Sequence, residues 1–278
     1  MVLENIKYPK SVKFLYETLI GRIILKILTR PFISKIMGLF MDSSFSKFYI
    51  KKFIEKNNID MSVYEEKEYK SYNDFFTRKM KEEFFTFRLD ESTLPSPCSS
   101  KVSVYKINEN SVFEIKNSKY SVETLLQSKS LARKYENGYI FICRMTEDDY
   151  HRYSFIDDGE KDEDVFIKGV LHTVQPIALN HYNIYKMNSR SYSLLHTKNF
   201  GDVIQMEVGA LMIGRINNYN LKTFKRGDEK GMFEFGGSTV VLLFEENKIT
   251  PLPELIETTN KGAETIIQIG EKIGIKFN

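Results

Sequence analysis

Cysteine is scarce in this chain. Only Cys98 and Cys143 occur in 278 residues, and no CxxC spacing exists. A disulfide scaffold is therefore excluded, and the two are expected as reduced thiols in a cytosolic compartment. Histidine is nearly as rare, with His151, His172, His181 and His196 the full set. No HxxxH or HExxH spacing links them, so no metal site is expected. The glycines form neither a phosphate-binding loop nor a dinucleotide fingerprint. A formal net charge of +3 is too small to argue for nucleic acid. Long apolar runs are missing as well. The stretch from Phe14 to Met41 is broken by Glu17, Arg22, Lys26, Arg30 and Lys35, whereas a spanning helix needs about 20 mostly apolar residues. It also lacks the short apolar core and small-residue cleavage site of a secretory signal.

With 42% hydrophobic and 28% charged residues, the composition is that of a globular protein with a real core. Residues 12 to about 58 carry helical periodicity. Val12, Leu15, Leu19, Ile23, Ile24 and Ile27 form one stripe up to Pro31. Ile33, Ile36, Met37, Leu39, Phe40 and Met41 form a second, and Phe45–Glu55 a third that stops at Asn57-Asn58. Their polar face is basic: Lys10, Lys13, Arg22, Lys26, Arg30, Lys35, Lys47, Lys51 and Lys52. Such helices either lie in a membrane interface or pack on a core with a solvated basic face. A short helix near residues 73–81 is predicted to start at Asn73 or Asp74. From Lys101 onward, strand patterns dominate, at 102–107, 112–115, 139–143, 166–171, 191–195, 202–208, 211–216 and 239–244. The tail from Pro251 to Gly274 reads as helical. The expected class is α+β, with N-terminal amphipathic helices, a predominantly antiparallel β core and a C-terminal helix. The expected division is a membrane-associating helical region, 1–65, and an α+β domain, 66–278.

The segment Phe233-Glu234-Phe235-Gly236-Gly237-Ser238-Thr239 leads into the apolar run Val240–Phe244. Two glycines weaken a strand entrance and leave nothing to pack. They suit an ordinary turn or bulge. They also suit a strained peptide that brings the Ser238 hydroxyl onto the Gly237 carbonyl. Attack there gives an ester, and elimination from it splits the chain and leaves an N-terminal pyruvoyl group.

Five further segments accompany this one. They are Phe75-Phe76-Thr77-Arg78-Lys79-Met80-Lys81, Asp149-Tyr150-His151-Arg152-Tyr153, Leu171-His172-Thr173-Val174-Gln175-Pro176-Ile177-Ala178-Leu179, Glu207-Val208-Gly209-Ala210 with Gly214, and Lys230-Gly231-Met232-Phe233. In this order they resemble the phosphatidylserine decarboxylase family. The resemblance implies a proenzyme that cuts itself between Gly237 and Ser238. It implies a β chain of 1–237, an α chain of 238–278, and a pyruvoyl cofactor derived from Ser238. It implies conversion of phosphatidylserine to phosphatidylethanolamine and carbon dioxide through a Schiff base. His151 would reprotonate the α-carbon, and His172 would contact substrate or shape the pocket. Partners would be the phospholipid and the membrane surface, with no nucleic acid, and the location the cytoplasmic face of the cell membrane, as a peripheral protein. Lys225 and Arg226 are either phosphate partners or a solvated basic pair.

The chain departs from the family pattern at two positions. Self-cleavage in the family uses an aspartate in a Pro-x-Asp segment and a histidine three residues after that of Asp-Tyr-His-Arg. Ser99 and Ser154 stand there in this chain. A serine hydroxyl neither accepts a proton near neutral pH nor supplies a carboxylate's charge. The alternative reading is therefore a catalytically inactive, unprocessed relative that binds phospholipid at the membrane surface.

Overall fold

A computed structural model describes residues 2–3, 8–85, 87, 90–115, 118–179, 181–211, 215–234 and 238–277. Gly214, Phe235, Gly236 and Gly237 lie outside the described residues. The N-terminal periodicity resolves into four helices: α1 (Lys10–Glu17), α2 (Leu19–Leu28), α3 (Pro31–Asp42) and α4 (Phe48–Asn57). The first apolar stripe is not one helix. Thr18 breaks it in an extended conformation and caps α2, its side chain accepting from the Gly21 amide at 3.0 Å. A Cβ on Gly21 would lie 2.0 Å from the Phe14 carbonyl oxygen, so the corner between α1 and α2 requires glycine. Pro31 opens α3 at a position that needs no amide donor. Asn58 ends α4 in the left-handed region, with φ of 51°. The fifth helix, α5 (Tyr72–Phe76), is capped by Ser71 and not by Asn73 or Asp74. The Ser71 hydroxyl accepts from the Asp74 amide at 3.1 Å.

The β core is built on a ten-stranded sheet. Ten strands matter here: β1 (Ser100–Lys106), β2 (Tyr139–Met145), β3 (Arg152–Ser154), β4 (Arg190–Thr197), β5 (Gly201–Val208), β6 (Ile216–Asn218), β7 (Glu229–Phe233), β8 (Ser238–Phe244), β9 (Glu264–Ile267) and β10 (Lys272–Lys276). The main sheet runs β9-β1-β2-β8-β5-β4, with every listed pair antiparallel. Strands β6, β7 and β3 make a smaller sheet, and β10 pairs on either side with Ile249–Pro251 and Thr93–Pro95. The tail therefore differs from its helical reading. Only Pro253–Asn260 is helix. Gly262 takes a φ of +74° just beyond it, and the isoleucines that follow alternate as strands β9 and β10.

Both faces of the central strands are buried. On β8, Val240, Leu242 and Phe244 enter one core with Phe141, Cys143 and Met145 of β2. Val241 and Leu243 enter the other, with Ile140 and Ile142. Tyr16 and Leu25 of the N-terminal helices belong to this second core. Cys98 and Cys143 are free and buried on the first side.

That first side also holds charge. Lys230 of β7 and Glu207 of β5 meet at 2.8 Å with both side chains fully buried. Asn218 donates to Glu207 at 3.1 Å, and the Tyr153 hydroxyl donates to Asn218 at 2.7 Å. Two of the sequence segments thus converge on one ion pair. Removing one partner leaves a buried charge alone, which costs about 3–5 kcal/mol. Glu207→Gln or Lys230→Met is expected to lower the urea unfolding free energy by that amount. The double variant Glu207→Gln/Lys230→Met is expected to lose clearly less than either single change.

Candidate active site

The antiparallel register gathers chemistry at one end of the main sheet. Strand β2 finishes at Met145, β8 begins at Ser238, and the two residues pair directly. Val208, the last residue of β5, pairs with Thr239. Ser238 is fully buried, and its hydroxyl donates to the Met145 sulfur at 3.5 Å. A cavity of about 520 Å³ opens beside this point. Its wall includes Met145, Glu147 and Asp148 after β2, Thr173 and Gln175 from the third segment, and Val12 and Leu15 from α1.

The turn after β2 is held by Asp149. Its carboxylate accepts from the Thr146 amide at 2.6 Å and hydroxyl at 2.9 Å, and from Lys101 at 2.6 Å. Burial raises the Asp149 carboxyl, with Lys101 opposing. The two acids that line the cavity are pushed apart. Burial raises Glu147, only partly offset by Lys56. Burial also pushes Asp148 upward, but the Thr146 hydroxyl, Lys101 and His151 outweigh it and bring it below the ordinary carboxylate value. A raised and a lowered carboxyl in one cavity form an acid–base pair in principle.

His151 is buried on the Phe76 ring, 4.0 Å between centroids. Its Nδ1 lies 2.9 Å from the Asp149 carbonyl. A carbonyl only accepts, so Nδ1 carries the proton and Nε2 is the nitrogen of variable protonation. The His151 carbonyl accepts from the Phe233 amide, which ties this histidine to the strand that leads toward Ser238. Arg152 anchors the same segment: it donates twice to the Thr77 carbonyl and pairs with Glu229 at 2.5 Å.

His172 stacks on Tyr182 at 4.2 Å, and its Nδ1 is 3.3 Å from the Tyr16 hydroxyl. Tyr16 also accepts from the Thr173 amide at 3.0 Å. His172 thus fastens α1 beside the cavity, with its neighbour Thr173 in the wall. Ser99 accepts from the Ile269 amide at 3.1 Å. The Ser154 amide donates to Pro97 at 2.9 Å, so the two substituted positions lie in neighbouring segments. The Ser154 hydroxyl has no hydrogen-bond partner among the described residues. Gly237 lies outside them. Lys225 pairs with Asp158 at 3.0 Å and Arg226 with Asp157 at 3.1 Å. Arg226 is not a solvated loop cation, since it also donates to the Asp90 and Glu91 carbonyls.

Glu147, Tyr16 and Lys101 were not singled out for the site by motif, whereas Asp148 was, as a group that can stand in for the absent triad members. The one sequence signal was the acidic run Glu147-Asp148-Asp149 directly before Tyr150-His151.

Similarity to known proteins gives this fold and cavity a family. The model of the phosphatidylserine decarboxylase family matches residues 72–275, and the chain belongs to that family. It is 50% identical over 279 residues to phosphatidylserine decarboxylase proenzyme 2 of Clostridium acetobutylicum, covering 98% of this chain and 96% of that one. It is 40% identical over 285 residues to the phosphatidylserine decarboxylase proenzyme of Clostridium botulinum strain Hall, covering 99% and 95%. The proenzyme of Clostridium tetani is 40% identical over 281 residues, with the same coverage.

Burial depresses the His172 imidazole from 6.5 to about 4. Between those values the unfolded chain binds the proton and the folded chain does not. The stability this group contributes is complete above pH 6.5 and is lost as pH falls through 4. His172→Gln is expected to flatten the fall in urea stability between pH 7 and pH 4.5 by on the order of 1–2 kcal/mol, after allowance for solvent screening.

Proposed function

We propose that this protein is a pyruvoyl-dependent phosphatidylserine decarboxylase. It converts phosphatidylserine to phosphatidylethanolamine and carbon dioxide, and it makes its cofactor from Ser238 by cutting the chain after Gly237. The observation that carries the reading is the position of Ser238: buried, first in its strand, and paired with a residue of the cavity wall. The residues fit the group. Among the described residues the Ser238 hydroxyl donates only to a thioether, so losing it strands no strong acceptor. A pyruvoyl group supplies a ketone that captures the substrate amine and draws off the electron pair left by departing carbon dioxide.

The chain's own residues do the rest. Met145, Val174 and Ala210 give the cavity apolar wall beside position 238, which disfavours a bare carboxylate and favours its loss as a neutral gas. His151 carries a proton on Nε2 for return to the α-carbon, with Asp149 and Phe76 fixing its ring. Ser99 and Ser154 supply no base for the self-cleavage. The cavity carboxyls do: Asp148 accepts the Ser238 proton, and Glu147 holds the form that can return one. The Ser238 oxygen adds to the Gly237 carbonyl, and the C–N bond breaks to give the ester. The Ser238 α-proton leaves and the bond from Cβ to the ester oxygen breaks, freeing the Gly237 carboxylate. Water then hydrolyses the resulting dehydroalanine to the ketone with loss of ammonia.

The helices support a peripheral membrane location on the cytoplasmic face, with 1–65 as the attaching region. Among the described residues no helix is long and apolar enough to cross a membrane. Yet Leu19 is 70% exposed, Ile20 64%, Phe32 68% and Phe45 79%. So many large apolar side chains turned outward on adjacent helices mark an interaction surface, and the lysines and arginines around them favour anionic lipid.

A denaturing gel of the purified protein is expected to show two fragments, 1–237 and 238–278, the smaller with a blocked N-terminus. Ser238→Ala should stay whole and release no carbon dioxide from phosphatidylserine, and Asp148→Asn should slow cutting by at least ~100-fold. A wild-type chain that stays intact and inactive would leave the unprocessed lipid-binding reading. Vesicle flotation tests the surface. Leu19→Asp/Phe32→Asp is expected to weaken binding to anionic vesicles ~10-fold or more, and unchanged binding would remove the helices from the role.

A further inference from the structure

A second cleft lies next to the cavity, among α3, α4, α5 and the turn after β2. It holds about 270 Å³ and is lined by Met41, Tyr49, Phe53, Tyr72, Lys52, Lys56 and Glu147. Three observations bear on its use. First, Glu147 lines both this cleft and the cavity beside Ser238, so the two spaces share a wall. Second, Tyr49, Lys52, Phe53 and Lys56 recur at helical spacing on one face of α4. That face therefore presents rings and ammonium groups together. Third, Lys52 and Lys56 have no carboxylate within salt-bridge distance among the described residues. The neighbouring Lys47 and Lys51 pair with Glu68 and Glu55. Two exposed cations on an apolar cleft, neither in a salt bridge among the described residues and facing only the Glu147 carboxyl, fit a ligand that is anionic at one point and apolar beyond it.

We propose that this cleft is the glycerophosphate and acyl subsite for the lipid substrate, with Lys52 and Lys56 binding its phosphodiester. The inference rests on the decarboxylase reading for the identity of the lipid. The phosphodiester sits at the two ammonium groups, which act as compact point charges on it. The first part of an acyl chain lies over Met41, Tyr49 and Phe53. The serine headgroup, a few bonds from the phosphorus, passes Glu147 into the larger cavity toward position 238. The remaining chain length leaves the cleft beside the exposed apolar residues Phe45 and Phe48.

The lysines could instead serve only as part of the basic surface, and the test separates these roles by removing the surface. Binding of dihexanoyl-phosphatidylserine, below its micelle concentration, is measured by calorimetry on the full-length Ser238→Ala chain. That chain needs no cofactor to report. Lys52→Met/Lys56→Met is expected to raise the Kd at least tenfold for this lipid and also for glycerophosphoserine, since both carry the phosphodiester. Met41→Trp, which fills the cleft, is expected to raise the Kd for the diacyl lipid alone. In the processed enzyme the lysine variant should raise KM by a similar factor with kcat little changed. An unchanged Kd for both monomeric ligands would overturn the proposal, and a loss seen only with vesicles would do the same by assigning the lysines to the bilayer surface. Failure of the wild-type protein to release carbon dioxide reports separately on the decarboxylase reading.

Discussion

A lysine and a glutamate with no exposed surface hold the register on which everything else in this fold depends. Strands β2 and β8 bury apolar side chains on both faces, so hydrophobic alternation alone does not choose between one register and its neighbour. Charge does. Glu207 points to the face where Lys230 waits. A slip of one residue would send Glu207 into the face of Ile204 and Met206 and leave Lys230 buried without a partner. That penalty far exceeds what a few rearranged aliphatic contacts return. Because Glu207 is opposite Val240 and Met145 opposite Ser238, fixing β5 against β8 fixes which residue stands at the end of the sheet. Placing the hydroxyl of position 238 against the cavity wall is thus a consequence of a buried ion pair two positions along.

The two serine substitutions look different once their neighbourhood is known. The Ser154 amide bonds Pro97, and Ser99 bonds Ile269 across the start of β1. The segments that hold Ser99 and Ser154 therefore meet in the fold. Ser99 has become a structural acceptor. On the proposed reading, proton transfer falls to the two carboxyls that line the cavity, Glu147 and Asp148. Their opposed shifts arise from position. Burial acts on Glu147 with Lys56 as its one opposing cation, whereas Asp148 gains the Thr146 hydroxyl, Lys101 and His151.

The sequence made the strands legible because their residues are β-branched and aromatic in short runs, and it made the site legible through ordered motifs. What it concealed were arrangements made by tertiary contact. The stripe from Val12 to Ile27 keeps helical phase across Thr18, so periodicity could not register a corner that depends on Gly21 meeting the Phe14 carbonyl. The tail read as helical because Leu252, Leu255 and Ile256 have the spacing, but Gly262 and the isoleucines after it belong to sheet edges. His151 and His172 were visible as motif members, yet nothing in the spacing showed that Tyr16, some 150 residues earlier in the chain, is the partner of His172. Lys56 and Glu147 carry no motif at all, and only the fold makes them neighbours.

Helix α1 faces two ways, and this has an energetic consequence for a lipid substrate. Val12 and Leu15 line the cavity, Tyr16 is bonded to the segment behind it, and the next helix turns Leu19, Ile20 and Ile23 outward. Drawing an acyl chain fully into water costs about 0.8 kcal/mol per methylene, so extraction of a whole phospholipid would dominate any barrier the chemistry presents. If the helices attach to a membrane as proposed, a cavity walled by α1 avoids that cost, because the headgroup can reach position 238 while most of each chain stays in the bilayer. The same geometry explains why the basic and apolar residues belong on the helices nearest the cavity, and not on the far edge of the sheet. A bound surface there would hold the lipid too far from Ser238 for its headgroup to arrive.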